Sequence, residues 1–267
     1  MEKKRTMEKK IIIVTAVPSL VIVVAVVLGI TLGKTTFKQE FEYRCSMFES
    51  SKKYNCTEIW HEFEKAYVNQ DPCKIPMNAY DSLVAAAPFE HACKKTMFWS
   101  KTKNLVHDLT ENRDDVVALE DTLLGSVLGG LHWCGEKGNS DTFTSGCPGW
   151  NECVNPRRSF WSRVSTAFAD FACDDVTAML NGSIDTPFDP ESIFASIEVK
   201  RFNYPRVKSL NVVLVTQNKT VTNCTNASLK DLQKYLDQGI TYNCEEVTET
   251  QIQDCSSHPE KPCGACW

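Results

Sequence analysis

Residues 211–216 read Asn-Val-Val-Leu-Val-Thr. This near-continuous β-branched run is the pattern of a strand buried on both faces, as in parallel sheets. Further on, residues 226–237 place Leu229, Leu232 and Leu236 on one side of a helix, and residues 239–244 (GITYNC) return to a strand pattern. Strand, helix and strand over this length predict a parallel pair joined by a helical crossover. Upstream, residues 193–199 alternate. Ile193, Ala195, Ile197 and Val199 fall on one face and Phe194, Ser196 and Glu198 on the other, which predicts a further strand.

Earlier still, the period becomes that of helices. Ile59, Trp60, Phe63 and Tyr67 recur at helical spacing over residues 58–68, as do Met97, Phe98, Leu105 and Leu109 over 96–109. Residues 116–133 are a further apolar helical candidate, weakened toward the end by Gly129 and Gly130. A fourth helix is expected over 159–180, through Phe160, Trp161, Val164, Ala167, Phe168 and Phe171, capped by Asn181-Gly182. The fold class expected is α/β with α+β character: a helical lobe joined to a lobe with a small, mostly parallel sheet flanked by helices.

The N-terminus sets the compartment. Residues 1–10 carry Lys3, Lys4, Arg5, Lys9 and Lys10 against Glu2 and Glu8, and residues 11–33 contain no charged side chain. At about 1.5 Å per residue such a run spans roughly 30 Å, the thickness of a bilayer core. Pro18 bends such a helix without disqualifying it. The alternative is a cleaved signal peptide, but those apolar cores run to about 7–15 residues and Leu32-Gly33-Lys34 is a poor cleavage site. The basic flank precedes the apolar run, so a cytoplasmic tail (1–10), a transmembrane anchor (11–33), a stalk (34–44) and an external domain (45–267) are expected. That is the arrangement of a single-pass type II protein of the plasma membrane, with an extracellular or luminal bulk.

Two further signals agree. All 13 cysteines lie at or beyond Cys45, which suits an oxidising compartment and a disulfide framework. Five N-x-Ser/Thr sequons, at Asn55, Asn181, Asn218, Asn223 and Asn226, lie on the same side. Setting aside the five basic and two acidic residues of the tail leaves 24 basic and 32 acidic side chains outside. That balance argues against nucleic acid as a partner and leaves room for a small anionic ligand held by a few local donors.

Familiar catalytic signatures are missing. His61-Glu62-Phe63-Glu64-Lys65 lacks the second histidine of a zinc protease helix, and no GxSxG, P-loop or GxGxxG occurs. The five histidines show no paired ligand spacing, so no metal site is expected. The CxxC at Cys263 and Cys266, near the C-terminus, reads as structural rather than redox-active. Glu198 stands out, because a carboxylate within a β-branched stretch either faces water or is buried for use. Glu120, in LEDTLL (119–124), fits an exposed helix face equally well, and Trp99 and Trp161 read first as core aromatics.

Taken jointly, FWSK (98–101), LEDTLLG (119–125), WCG (133–135), CPGW (147–150), FW (160–161), MLNGS (179–183) and FASIEV (194–199) resemble the ADP-ribosyl cyclase/cyclic ADP-ribose hydrolase family. The likeness runs from Cys45 to Cys263 in order and spacing, and the anchor is similar to that of the type II transmembrane member. It implies an active cleft between two lobes, one about 45–92 with 118–172 and the other about 93–117 with 173–267. It also implies cleavage of the nicotinamide–ribosyl bond of NAD to nicotinamide and ADP-ribose with some cyclic ADP-ribose, a role linked to calcium signalling.

By the same resemblance Glu198 falls on the catalytic glutamate, and Trp99 and Trp161 on the indoles flanking nicotinamide and ribose. Glu120 falls on the acid that contacts the carboxamide, and Ser100, Lys101 and Phe194 fall at or beside the diphosphate. Six disulfides are implied: Cys45–Cys56, Cys73–Cys153, Cys93–Cys173, Cys134–Cys147, Cys224–Cys244 and Cys255–Cys263, with Cys266 left over. The Cys93–Cys173 bridge is absent from the purely cyclising invertebrate members, so its presence favours hydrolysis as well. No cofactor is implied, since NAD is the substrate; NADP and a homodimer are left open.

Three departures stand out. The second acid expected nine residues after Glu120 is Gly129, the threonine expected before Phe194 is Ile193, and the glycine expected after it is Ala195. Gly129 and Ile193 motivate a rival reading, a surface receptor or adhesion module that keeps the fold with weak or no turnover.

Overall fold

The computed structural model describes residues 36–48, 54–217 and 219–262. The expected tail and anchor lie outside the described residues, among which no helix is long and apolar enough to cross a membrane. The chain divides into two compact units, Met1–Glu40 and Phe41–Trp267. Of the first, only residues 36–40 are described. They open a helix through a reciprocal cap in which Gln39 N donates to Thr36 Oγ1 and Thr36 N to Gln39 Oε1.

The elements run α1 (Phe37–Met47), α2 (Cys56–Lys65), α3 (Asp81–Ala86), β1 (Met97–Ser100), α4 (Lys103–Thr110), α5 (Leu123–Leu128), α6 (Pro156–Phe171), β2 (Asp174–Asn181), β3 (Val207–Thr216), α7 (Ala227–Gln233), β4 (Thr241–Thr248) and α8 (Glu249–Ser257). The four strands form one parallel sheet in the order β1-β2-β3-β4. The stretch at 211–216 is the heart of β3, α7 is its crossover, and β4 is the parallel partner reached through it. Both faces of β3 are covered, with Leu210, Val212, Val213, Leu214 and Val215 all buried.

Two packing centres form within the larger unit. Around α2 and α6, Phe63 lies within 5.0–6.3 Å of the rings of Tyr67, Trp133, Phe41, Trp60, Tyr80 and Phe160. On one side of the sheet, Met97, Leu105, Leu109, Met179, Val213, Val247 and Ile252 make a separate aliphatic core. Five bridges lace the unit: Cys45–Cys56, Cys73–Cys153, Cys93–Cys173, Cys134–Cys147 and Cys224–Cys244. Cys255 is also disulfide-bonded, and its expected partner Cys263 lies outside the described residues.

Several expected elements are corrected. The expected strand at 193–199 is a helical segment, a π turn over Phe194–Glu198 followed by a 3-10 turn over Val199–Arg201. Its buried residues Phe194, Ala195, Glu198, Val199 and Phe202 recur at helical spacing, and the Ser192 hydroxyl accepts from Ala195 N at 3.1 Å to start the turn. The expected helix over 159–180 stops at Phe171, and residues 174–181 become the central strand β2. Ala, Met and Leu there favour helices intrinsically, but burial between two neighbouring strands overrides that preference.

The expected helix over 96–109 begins as β1 and breaks at Lys101, whose φ of +62° lies in the left-handed region. Over 116–133 only a 3-10 turn at Leu119–Asp121 and the six-residue α5 form.

Candidate active site

The C-terminal end of β1, helix α6, the turn at Leu119–Asp121 and the helical segment at Phe194–Arg201 surround one cavity of about 460 Å³. Trp99, Ser100, Lys101, Glu120, Trp161, Phe194 and Glu198, scattered over 100 residues of sequence, all line it. Gly129 and Ile193, two of the three departures, line it too.

Each wall has a local cause. Helix α6 starts where Asn155 Oδ1 accepts from Arg158 N at 2.9 Å with Pro156 in the first turn. Once formed, it presents Arg157, Trp161, Ser165 and Phe168 along one face to the cavity. Trp161 is half-buried and packs edge-on against Phe160, with ring centroids 5.0 Å apart. Phe160 itself points into the aromatic core, so adjacent residues divide between core and cavity.

The corner after β1 is held from outside. Asn181, at the end of β2, donates from Nδ2 to Lys101 O at 3.2 Å and to Gln217 Oε1 at 2.7 Å. That tie fixes the backbone on which Trp99, Ser100 and Lys101 are carried. Lys101 is exposed and pairs with Asp189 at 3.2 Å. Asn181 is 9% exposed and its amide is committed to these two partners. Asn223 and Asn55 are exposed, Asn226 is half-buried and donates to Asp185 O, and Asn218 lies outside the described residues.

Glu120 is half-buried on its 3-10 turn rather than on an exposed helix face, and Trp99 Nε1 donates to its Oε2 at 3.0 Å. Two neighbours hold the turn in place. Asp121 accepts from Ala118 N at 2.7 Å and from the Thr110 hydroxyl at 3.0 Å. Gly125 packs directly beneath it, since a Cβ there would lie 1.9 Å from Leu119 O. Sequence reading missed Asn181, Asp121, Gly125 and Ser165 as supports. The only signal available was their place inside the motifs MLNGS and LEDTLLG or one turn beyond FW.

Glu198 is the buried carboxyl of the site, 6% exposed. Burial pushes its pKa up to about 8; the neighbouring Ser165 hydroxyl acts in the opposite direction, and the charge of Glu120 adds to the rise. The indoles of Trp99 and Trp161 wall the same cavity as this carboxyl. The lining contains acids at Glu120 and Glu198, and among the described residues no group of His, Cys, Asp and Glu is arranged to hold a metal ion.

The sequence model of the ADP-ribosyl cyclase family matches residues 34–264. The rabbit (Oryctolagus cuniculus) ADP-ribosyl cyclase/cyclic ADP-ribose hydrolase 1 is 34% identical over 226 residues, covering 82% of this chain and 76% of its own. A CD38 structure described as evidence for a conformationally flexible covalent enzyme–substrate complex superposes with a TM-score of 0.76 at 34% identity, over 81% of this chain and 93% of that one. Porcine CD38 bearing a covalent intermediate, ribo-F-ribose-5'-phosphate, gives a TM-score of 0.74 at 31% identity, over 79% and 96%.

Proposed function

Since this chain belongs to the ADP-ribosyl cyclase family, we propose that it cleaves the nicotinamide–ribosyl bond of NAD, giving nicotinamide and ADP-ribose with some cyclic ADP-ribose, which it also hydrolyses. The observation that carries this reading is the buried Glu198 facing a cavity it shares with Trp99 and Trp161.

The chemistry fits so sparse a site. The pyridinium of NAD is already cationic and leaves as a neutral molecule, so the acid of the usual glycosidase pair is unnecessary and one carboxylate suffices. In this reading Glu198 stabilises the oxocarbenium-like ribosyl carbon and, in the manner of the covalent intermediate of porcine CD38, accepts it. Attack by water then gives ADP-ribose, and attack by the folded-back adenine gives the cyclic product. The indoles of Trp99 and Trp161 stack on the pyridinium and restrict water access. Glu120 meets the carboxamide, while Ser100, Lys101 and the region of Phe194 take the diphosphate. NAD enters as substrate, and no resident cofactor is needed for these steps.

The wider arrangement belongs to the same proposal. The basic tail, the apolar stretch at 11–33 and the stalk support a type II protein of the plasma membrane with residues 45–267 outside as a two-lobed glycoprotein, its cleft between the lobes. The sixth bridge would be Cys255–Cys263.

Chromatography of products after incubating the purified protein with NAD tests the reading. Nicotinamide release that Glu198→Gln nearly silences is the expected result, and equal release by both proteins refutes the role of Glu198. A folded, disulfide-bonded wild type that leaves NAD intact refutes the activity itself.

A further inference from the structure

The rim of the cavity carries a cation that the reaction described above does not use. Arg157, Trp161 and Ser165 stand on one face of α6 at intervals of four residues, and all three line the cavity. Ser165 stands beside Glu198 at the floor. Two turns away, a rise of roughly 12 Å along the helix, Arg157 stands at the rim.

The Arg157 guanidinium lies over the indole of Trp150, 5.5 Å from the ring centroid, with Nη1 2.8 Å from Nε2 of His132. Trp150 and His132 line the same cavity. Among the described residues no carboxylate pairs with Arg157. The neighbouring wall is Gly129-Gly130, so no acidic side chain offsets the charge there. On a chain of net charge −5 this is a local cationic patch, and stacking on Trp150 holds the guanidinium fork in place for an anion.

We infer that Arg157, set on Trp150 beside His132, is a specificity-determining residue that receives a phosphate monoester on the purine-nucleoside ribose of the dinucleotide. The inference rests on the reading of this cavity as the site of dinucleotide cleavage. The rise of roughly 12 Å along α6 from Ser165 to Arg157 exceeds the reach of a ribose and its phosphate. A substrate whose reacting ribose sits at Glu198 therefore brings its second nucleoside toward Arg157. A planar guanidinium takes a phosphate in two parallel hydrogen bonds. A plain diphosphate already has donors at the Lys101 corner, so the added monoester is what distinguishes the two substrates.

The test compares NADP with NAD in wild type, Arg157→Gln and Arg157→Lys, read as the ratio of their kcat/KM values. The ratio is expected to fall roughly tenfold in Arg157→Gln and to recover in part in Arg157→Lys, in line with loss of one charge-assisted contact. A second arm needs no turnover: calorimetric binding of 2'-phospho-ADP-ribose against ADP-ribose to Glu198→Gln protein, with and without Arg157→Gln. Matching loss of preference for the phosphorylated ligand supports the inference. An unchanged preference in both arms, in variants that melt like their parent proteins, overturns it. Absence of turnover in the wild type refutes the proposed activity and leaves the binding arm to decide the role of Arg157.

Discussion

Replacing Glu198 by Gln is expected to stabilise the fold increasingly as pH rises, while abolishing nicotinamide release. Burial raises the Glu198 carboxyl from 4.5 to about 8. Between those values the folded state keeps a proton that the unfolded chain has lost, so the unfolded state binds fewer protons and stability falls with rising pH. The contribution is fully favourable below about pH 4.5 and is lost by about pH 8. At 1.36 kcal/mol per unit the whole effect is about 5 kcal/mol, of which about 3 kcal/mol has developed at pH 7. The Gln side chain keeps the shape and can still bond Ser165, but it does not ionise. Thermal unfolding of the disulfide-intact proteins across pH 4.5–8.5 reads the effect. The two melting temperatures should nearly coincide at the acid end and separate by roughly 6–12 °C near neutrality, for a domain of this size. A separation that stays constant across the series would refute the claim that burial suppresses ionisation of Glu198.

Gly125→Ala, whose Cβ would sit 1.9 Å from Leu119 O, should cost at least about 1–3 kcal/mol in denaturant unfolding and disturb the turn that carries Glu120. His91 is held down to about 4 by burial and, secondarily, by Lys95, so the fold loses stability as pH falls from about 6.5 toward 4; His91→Gln should flatten that acid limb in the same melts. Glycopeptide mapping of protein from a secretory host should find Asn223 occupied and Asn181 bare, since the Asn181 amide is buried and bonded on both sides. The pH at which kcat/KM for NAD rises should move down in Glu120→Gln, which removes a repelling charge, and up in Ser165→Ala, which removes a donor to the carboxylate.

The second half of the sheet was legible because β3 is buried on both faces and says so in its composition, and because Leu229 and Leu232 mark the crossover on one face of α7. Strand β2 was not legible. Its Ala178, Met179 and Leu180 are helix formers placed in a sheet by tertiary burial, and they continue the apolar run of α6 without a Gly or Pro to announce the break at Cys173. The segment around Glu198 misled for the opposite reason: Ile193, Ile197 and Val199 are strand formers at period two, yet the residues actually buried follow a helical period.

The site residues came from motif resemblance, and the cavity that gathers them could not have been inferred from pattern alone. Trp99 and Trp161 looked like core aromatics by composition. In the structure both line the cavity, Trp99 with its other side packed on the aliphatic core, while Trp60 and Trp133 are the buried indoles among the described residues.

In the proposed reaction, the contrast between the two acids of the cavity would let Glu198 be neutral at rest and still serve a cationic substrate. Glu120 and Glu198 share the cavity, but Glu120 is half-buried and takes the indole hydrogen of Trp99, whereas Glu198 is enclosed beside the Ser165 hydroxyl. With Gly129 rather than an acid at its position, the repulsion acting on Glu198 comes from Glu120 alone among the acids lining the cavity, and burial is the larger cause of its raised pKa. Burial penalises charge only while nothing neutralises it. In the proposed reaction, a pyridinium placed between Trp99 and Trp161 would supply the opposite charge and favour the carboxylate at the moment the ribosyl carbon needs it. Binding of NAD should therefore release a proton from Glu198 near neutral pH, whereas binding of ADP-ribose, which lacks the pyridinium, should not. Calorimetry in buffers of different ionisation enthalpy, run on NAD with a slowly turning-over variant such as Trp161→Phe, distinguishes the two; equal proton release by both ligands would place the coupling elsewhere.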